Sequence, residues 1–455
     1  MDNKGLQTGG SRDQFKSKFG FIMAIAGSAV GLGNIWKFPY MTGQNGGGAF
    51  VLVYLISILL IGASLIVVEL TIGRNSGSSV TEAYGKFNKK FKFAGFYSMI
   101  AVTVLLSYYI IIGGWTIFYF VEIIGGKLIG LSPDQLNSTF GNFISNTGMV
   151  WIYTIIFLVM TTFVITKGIS KGIEKACSIM MPALFVMLIL LIIRSITLPG
   201  AMKGVSWYLK PDFSKITGST LVAAVGQAFF SLSLGSGSMV TYASYLKKDE
   251  NIPQAALATM IADTLVALLA GLVILPAVFA FGVSPGEGPG LIFVTLPGIF
   301  GQMPFGTFFA AVFFILFFFA ALTSSISMLE VSVTYIIEKT NMNRKAVSII
   351  MSIGVLILGI PPLMSFGGWS HIQIFGKGFF DLYDYFVSNI SMPLVGLAGT
   401  LVIGYVWKKK DVENEVTNNG EVKFKAFNLW YNLVKYVVPV LLIIIFLTAT
   451  GILKI

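Results

Sequence analysis

Apolar runs separated by short polar segments make up nearly the whole chain. A membrane-spanning helix needs about 20 predominantly apolar residues, and the runs are long and numerous enough to predict eleven crossings. The predicted spans cover residues 19–40, 48–73, 92–124, 149–166, 173–195, 219–245, 252–281, 307–337, 345–359, 380–407 and 430–453. The pattern therefore predicts an all-α integral membrane protein with eleven transmembrane helices.

Two of the predicted spans are interrupted near their middle. The first contains Gly27, Gly31 and Gly33 followed by Asn34, and the sixth contains the segment SLSLGSGS at 231–238. Each glycine weakens a helix interior by about 1 kcal/mol, and lipid cannot satisfy the backbone groups that a break exposes. Free carbonyls suit a small cation, while the N-terminus of the following half-helix suits an anion. Paired breaks of this kind indicate a secondary transporter with inverted repeats.

The two breaks divide the chain into halves that each open with an interrupted helix. The predicted organisation is a cytoplasmic gate segment at 1–18, a first repeat of spans 1 to 5 at 19–195, an extracellular loop at 196–218, a second repeat of spans 6 to 10 at 219–407, a cytoplasmic linker at 408–429 and an extra span at 430–455. Segment 282–306 alternates Pro and Gly with an apolar patch, which predicts an external hairpin or lid. The expected fold is a 5+5 inverted repeat plus one helix.

Charge distribution predicts the orientation in the lipid bilayer. The chain is 55% hydrophobic and 11% charged, with a formal net charge of +11. Such a balance could indicate a nucleic-acid partner, but most Lys and Arg residues fall on one side of the membrane when the N-terminus is cytoplasmic. This asymmetry is the positive-inside rule. We therefore expect a cell-membrane protein with a cytoplasmic N-terminus, an extracytoplasmic C-terminus and no nucleic-acid partner.

Enzymatic chemistry has little support in the residues. Cys177 and His371 are the single cysteine and histidine, which excludes an internal disulfide and argues against a Cys/His metal cluster. They lie in different halves of the chain, so no nucleophile and base pair is available. The sequence predicts that the protein is not an enzyme.

An ionisable side chain inside a membrane span has a high free-energy cost, so we first consider each one as a functional residue. The candidates are Lys37, Glu69, Asp263, Glu330, Asp381 and Asp384. Asp263 lies deep in the seventh span, where a lone carboxylate requires a cation or a proton; the alternative is a protonated structural Asp. Lys37 and Asp384 lie near external span ends and could close over a central site, or could simply snorkel. Midspan hydroxyls such as Thr323 and Ser324 suit sodium, although they also commonly join helices.

Four segments carry a specific pattern: AGSAVGLGNIWKFPY with QNGGGAF behind it (26–40 and 44–50), SYYIIIGGW (107–115), GQAFFSLSLGSG (226–237) and LTSSIS (322–327). Together they resemble the neurotransmitter:sodium symporter family, and its bacterial amino-acid transporters most closely. The resemblance covers nearly all of the chain. It implies coupled symport of sodium ions and an L-amino acid by alternating access, in a monomer or weak dimer.

The resemblance also implies sites, residue by residue. The first of two sodium sites would use the Ala29 carbonyl, Asn34, Ser231, Asp263 and the substrate carboxylate, and the second would use the Gly27, Val30 and Ala320 carbonyls with Thr323 and Ser324. The substrate carboxylate would take the N–H groups of Leu32 and Gly33 and the Tyr109 hydroxyl, and its ammonium would meet Ala29, Phe230, Ser231 and Ser233. The side-chain pocket would comprise Leu105, Tyr109, Ile112, Phe230, Ser236, Ser324 and Met328.

Two positions carry information on the substrate. Monoamine carriers of the family have Asp where this chain has Gly31, so the resemblance implies that a whole amino acid fits here. Ser236 stands where a leucine-type member has Phe, which implies an enlarged pocket. We expect a large hydrophobic or aromatic amino acid, with tyrosine foremost.

The resemblance places gates on both sides of the site. The external gate would be Phe230 over Tyr109 with Lys37 and Asp384 above, and the inner gate would pair Arg12 with Glu338 and dock Phe15. The family more often has Arg where Lys37 stands, so a bidentate ion pair becomes a single-point one.

Chloride-dependent members bind the anion between positions that match Tyr54, Gln227, Ser231, Asp263 and Ala267. Asp263 replaces the Asn of those members. Two like charges about 4 Å apart repel by roughly 4 kcal/mol at an effective dielectric constant of 20, so chloride beside an ionised Asp263 is unfavourable. The sequence predicts chloride-independent transport, with the carboxylate as a built-in anion.

An alternative from another class is an amino-acid sensor or ligand-gated channel that uses the same fold with little net transport. A continuous pore should place polar residues along whole spans. Here polarity clusters at midspan between the two gates, and this favours the symporter.

Overall fold

The computed structural model describes residues 13–283, 290–340 and 342–453. Within these ranges the regular secondary structure is helical, apart from an isolated bridge between Ile374 and Lys377. The helices long and apolar enough to cross a membrane are Gly48–Ser76, Lys89–Ile124, Thr147–Thr166, Ile169–Ile196, Ile252–Ala280, Gly306–Lys339, Arg344–Met364, Phe379–Val406 and Phe427–Ala449. The all-α membrane fold predicted from the sequence is therefore confirmed.

The first predicted span is a bent pair of helices, Lys18–Ala29 and Gly33–Gln44, which meet at 52°. The sixth is also split, into helices Gly218–Ser231 and Ser238–Ala243. Nine helices of the described chain pass as spans by length and composition, or ten with the bent pair. The count of eleven is not confirmed by that measure and stays a prediction.

Shorter helices occupy several connections. They are Val80–Phe87, Pro133–Ser145, Ala201–Leu209, Leu291–Gly301 and Lys409–Val416. Helix Leu291–Gly301 lies in the predicted lid, of which residues 284–289 are outside the described part of the chain. Lys409–Val416 makes part of the predicted polar linker helical, with Val412 and Val416 buried and Glu415 bound to the buried Arg74.

Burial separates a central bundle from peripheral helices. In its most apolar stretch, helix Lys89–Ile124 is 78% buried within the protein, whereas Phe427–Ala449 is only 28% buried. The inner half-helix Lys18–Ala29 packs among Ile169–Ile196, Ile252–Ala280 and Gly306–Lys339. The break in the first span is consequently enclosed by protein, where irregular backbone can be tolerated.

Candidate functional site

The break in the first span exposes backbone groups to specific partners. Ala29 is the last residue of the inner half-helix, where carbonyls have no partner further along the helix. The Gly31 N–H donates to Asn34 Oδ1 over 2.9 Å, and the Leu32 N–H donates to the Tyr109 hydroxyl over 3.2 Å. The polar side chains of Asn34 and Tyr109 therefore bond the backbone of the break, in a segment that is almost fully buried.

The break in the sixth span depends on glycine. Gly235 and Gly237 have φ values of 78° and 77°, a conformation that glycine adopts readily. A Cβ atom on Gly235 would lie 2.2 Å from the Met392 carbonyl oxygen. The Gly235 N–H donates to Glu69 Oε1 over 2.6 Å, so a buried carboxyl group from the second span satisfies the freed backbone.

The structure brings together the side chains proposed for the first sodium site. Asn34 Nδ2 lies 2.9 Å from Ser231 Oγ and 2.8 Å from Asp263 Oδ1, and Ser231 Oγ donates to Asp263 Oδ2 over 2.8 Å. All three residues are at most 1% exposed. No salt bridge to Asp263 occurs among the described residues. A buried carboxylate in this position requires a cation or a proton.

The residues proposed for the second sodium site also converge. Ser324 Oγ lies 2.9 Å from the Val30 carbonyl oxygen and 3.4 Å from that of Gly27. Thr323 Oγ1 lies 3.1 Å from the Ala320 carbonyl oxygen. These five oxygen atoms lie between the inner half of the first span and helix Gly306–Lys339, and hard cations prefer oxygen ligands.

Gly31 leaves the space that the proposed substrate group would need. A Cβ atom at this position would lie 2.6 Å from Ser324 Oγ and 2.9 Å from the Tyr109 hydroxyl. A side chain here would displace both hydroxyls. Glycine at this position therefore lets the backbone of the break approach Ser324 and Tyr109 closely.

A cavity of about 180 Å³ lies immediately outside this region. It is lined by Leu32, Gly33, Trp36, Lys37, Tyr40, Leu105, Tyr108, Tyr109, Ile112, Phe230, Phe380, Asp381 and Asp384. Three residues of the predicted pocket, Ser236, Ser324 and Met328, are buried but do not line it. Ser236 donates to the Ser233 carbonyl over 2.6 Å, and the Ser233 hydroxyl donates to the Ser28 carbonyl over 3.1 Å.

The outer gate residues meet in a different arrangement from the expected ion pair. Lys37 Nζ lies 4.0 Å from the centroid of the Phe230 ring, a cation–π contact. Asp384 Oδ1 instead accepts hydrogen bonds from the hydroxyls of Tyr108 and Ser388, each over 3.0 Å. The structure does not join Lys37 to Asp384, because each already has another partner.

The inner side is closed by the N-terminal segment. Phe15 is 5% exposed and packs against Tyr242, with ring centroids 5.9 Å apart. The Glu174 carboxylate accepts bonds from the backbone N–H groups of Lys16 and Ser17 over 2.8 and 3.0 Å. Glu338 accepts from the Ser79 N–H over 2.8 Å. Its predicted partner Arg12 lies outside the described residues.

The predicted anion region surrounds Asp263. The Tyr54 hydroxyl donates to Ser231 Oγ over 3.3 Å, and Gln227 Nε2 donates to the Gly33 carbonyl over 3.0 Å. Ala267 is fully buried on the helix of Asp263. The carboxylate is thus held within the same cluster as the tyrosine and serine hydroxyls.

Three residues contribute to the gates and breaks without a role predicted from the sequence. Glu69 holds the sixth-span break, Glu174 docks the N-terminal segment, and Tyr108 binds Asp384. The sequence gives one indication for Glu69, because it is an acidic residue within an apolar run. Tyr108 adjoins Tyr109 in a predicted motif, whereas Glu174 resembles any charge at a span end.

Comparison with known proteins places the chain among sodium-dependent transporters. The sequence pattern of the sodium:neurotransmitter symporter family matches residues 12–132 and 134–454. The chain is 42% identical over 443 residues to the uncharacterised sodium-dependent transporter YhdH of Bacillus subtilis, covering 97% of this chain and 98% of YhdH. It is 38% identical to an uncharacterised sodium-dependent transporter of Haemophilus influenzae, covering 96% and 98% of the two chains. The crystal structure of MhsT in complex with L-phenylalanine superposes with a TM-score of 0.90 at 40% identity, over 96% of this chain and all of that one.

Proposed function

Since the chain belongs to the sodium:neurotransmitter symporter family, we propose that it imports a large hydrophobic or aromatic L-amino acid, with tyrosine favoured, together with two sodium ions. It is a sodium-dependent membrane transporter and not an enzyme. The N-terminus is proposed to be cytoplasmic and the C-terminus extracytoplasmic, in a monomer or weak dimer.

The observation that carries the proposal is the contact of Asn34, Ser231 and Asp263 beside the Leu32 N–H, which donates to the Tyr109 hydroxyl. An amino-acid carboxylate at the Leu32 N–H would face both that hydroxyl and a sodium ion at Asp263. Each ligand would then raise the affinity for the other, because binding free energies are reciprocally linked. This shared contact is the proposed basis of symport.

The second sodium ion is proposed to bind at Ser324 and Thr323. Their hydroxyls currently bond carbonyls at the end of the inner half-helix and within their own helix. An ion at this point would join the first span to helix Gly306–Lys339. Its release would free the inner half-helix to move, which suits a step of alternating access.

The substrate class is proposed from the space at Gly31 and from the lining of the cavity. Leu105, Ile112 and Phe230 give apolar walls, and the Tyr109 hydroxyl adds a polar edge. A member of the same family was crystallised with L-phenylalanine at 40% identity to this chain. Tyrosine is favoured because Ser236 stands where a leucine-type member of the family has the larger Phe.

Chloride independence is proposed from Asp263. Its carboxylate bonds the Ser231 hydroxyl, which also receives the bond from Tyr54. A chloride ion in this cluster would face a fixed negative charge. The carboxylate would supply the negative charge beside the first sodium ion in place of the halide.

Uptake by reconstituted vesicles tests the proposal. Proteoliposomes with an inward sodium gradient should accumulate labelled tyrosine and phenylalanine well above equilibrium, while glutamate and lysine should not accumulate. The same vesicles with potassium in place of sodium serve as the control. Lack of accumulation for every hydrophobic amino acid under a sodium gradient would contradict symport, and preference for a small or charged amino acid would contradict the substrate class.

A further inference from the structure

A groove of about 450 Å³ opens on the side of the protein, away from the proposed transport path. It lies between helix Gly48–Ser76, the beginning of helix Ile252–Ala280 and the beginning of helix Phe427–Ala449. The groove is lined by Leu59, Ala63, Ser64, Val67, Asn251, Pro253, Gln254, Ala256, Leu257, Lys423, Phe424, Ala426, Leu429, Trp430 and Leu433. Its volume falls within the range of about 300–1,000 Å³ that is usual for ligand pockets.

One end of the groove is apolar and open to the bilayer. Leu59, Leu257 and Leu429 stand at its rim with 61%, 52% and 64% of their surface exposed. They come from three different helices that span or enter the membrane, so the groove faces lipid rather than water. An acyl chain matches walls of this kind.

The other end is polar and basic. Asn251 Oδ1 accepts a bond from the Gln254 N–H over 2.9 Å at the start of a 29-residue helix, whose N-terminus carries a partial positive charge. Lys18 Nζ donates to Gln254 Oε1 over 2.7 Å, which places the positive charge of Lys18 beside the groove. Lys423 lines the groove and forms no salt bridge with any described residue.

The charges at this end favour an anionic ligand. No Asp or Glu is among the described residues that line the groove. The basic end lies at the side of the membrane that the positive-inside rule assigns to the cytoplasm. Anionic lipids of that leaflet attract basic groups near the membrane surface and bind in basic pockets between spans.

We propose that this groove binds an anionic phospholipid of the cytoplasmic leaflet. One acyl chain lies between Leu59 and Leu429, and the phosphate lies close to Lys423 and Gln254. The proposal depends on the proposed orientation of the chain, and it does not depend on the identity of the transported amino acid.

A second groove supplies an internal comparison. About 380 Å³ in volume, it lies between helices Thr147–Thr166 and Arg344–Met364, and its described lining contains apolar residues, Thr and Ser but no charged group. It should accept acyl chains without regard to the headgroup. The contrast between the two grooves isolates the contribution of the basic end.

Trp430 offers a direct probe, because its indole N–H donates to the Ser64 carbonyl over 3.1 Å in the wall of the groove. The protein is reconstituted in phosphatidylcholine vesicles that contain brominated phosphatidylglycerol or brominated phosphatidylcholine. The signal of Trp430 is the fluorescence of the unmutated protein minus that of a Trp430→Phe variant. We expect brominated phosphatidylglycerol to quench Trp430 at about fivefold lower mole fraction than brominated phosphatidylcholine. This ratio is the one expected from the attraction of a single lysine for an anionic lipid. Lys423→Gln should remove that preference, while Lys345→Gln, beside the uncharged groove, should leave it intact.

Equal quenching by the two brominated lipids would overturn the proposal, as would a preference that persists in Lys423→Gln. Cross-linking between two copies of a Leu429→Cys variant would show instead that a second protomer occupies the groove. Sodium-driven uptake measured on the same vesicles reports correct folding of each variant. Absence of a lipid preference in the unmutated protein, with normal sodium-driven uptake, would therefore contradict the lipid site and leave the proposed transport function intact.

Discussion

The side-chain amide of Asn34 donates a hydrogen bond of 2.8 Å to the carboxylate of Asp263, 229 residues away in sequence. Asn34 follows the break in the first span, and Asp263 lies in the middle of helix Ile252–Ala280. The bond places a buried acid directly beside the break, where the Gly31 and Leu32 N–H groups bond Asn34 and Tyr109. Sodium binding, substrate binding and the absence of a chloride requirement are therefore all expected to depend on this one contact.

Removal of the Asp263 charge should create a chloride requirement. In Asp263→Asn, the first sodium ion loses its fixed counter-charge, and an external chloride can take that position without like-charge repulsion. Uptake by the variant should fall at least about tenfold in gluconate buffer, which corresponds to roughly 1.4 kcal/mol, and recover in chloride. Asp384→Asn, outside the cluster, is the control and should show no chloride dependence. A strong chloride requirement in the unmutated protein would contradict this prediction.

A methyl group at position 31 should abolish substrate binding. The Cβ atom of Gly31→Ala would collide with the Ser324 and Tyr109 hydroxyls at 2.6 and 2.9 Å, both of which belong to the proposed binding site. We expect tyrosine uptake to fall by more than about tenfold. The matched control is Gly354→Ala, since a Cβ atom there meets nothing within 4 Å. Equal activity of the two variants would show that Gly31 is not close to the substrate.

Loss of the Ser324 hydroxyl should weaken the second sodium site. Ser324 Oγ lies near two carbonyls of the inner half-helix, and Ser324→Ala removes one ligand from the proposed shell. The sodium concentration for half-maximal uptake should rise about tenfold, the change expected from roughly 1.4 kcal/mol. Ser138→Ala, on the exposed connection Pro133–Ser145, should leave the sodium dependence unchanged. An unaltered sodium curve in Ser324→Ala would place the second ion elsewhere.

Glu415 should stabilise the fold at the C-terminal end of helix Gly48–Ser76. Its carboxylate binds Arg74 Nε over 2.8 Å, Asn75 Nδ2 over 2.9 Å and Lys248 Nζ over 3.1 Å, and the Arg74 side chain is only 1% exposed. Glu415→Gln leaves the buried guanidinium without its counter-charge, a loss of about 3–5 kcal/mol for buried pairs. The variant should unfold at a clearly lower Tm at neutral pH. Glu413→Gln, exposed on the same short helix, is the matched control.

The same carboxylate should make stability depend on acid pH. Burial alone would raise the pKa of Glu415. The bond from Asn75 and the charges of Arg74 and Lys248 lower the pKa by more than burial raises it, so the pKa lies below the usual value. The stabilisation is then complete above the unfolded-state pKa of about 4.3 and is lost as pH falls through the lower folded-state pKa. The Tm difference between wild type and Glu415→Gln should therefore shrink in acid. A difference that stays constant down to pH values below 4.3 would argue against the charge interaction.

The sequence predicts the helical membrane fold and both breaks because each depends on local composition. Apolar length identifies most spans within a few residues, and Gly27 to Asn34 and 231–238 mark the two breaks directly. The motifs contain Asn34 and Ser231, and Asp263 stands out as an ionisable residue deep within a span. The contacts of Asn34 with the other two cannot come from hydropathy alone, since they join residues about 200 positions apart in sequence.

Other features depend on competition between partners, which a sequence does not display. Lys37 contacts Phe230 rather than Asp384 because a neighbouring ring and the Tyr108 hydroxyl are closer alternatives. Glu174 docks the N-terminal segment only because the chain folds back over it. The helix within the predicted linker and the basic lipid groove likewise arise from packing between distant segments.

The most direct test of shared sodium and substrate binding is equilibrium binding of tyrosine and its decarboxylated analogue tyramine to the purified transporter at increasing sodium. The account predicts that sodium raises tyrosine affinity at least about tenfold, that tyrosine raises sodium affinity by the same factor, and that tyramine binds weakly whatever the sodium concentration. Sodium-independent tyrosine binding, or tyramine binding as tight as that of tyrosine, would contradict a carboxylate that completes the sodium shell.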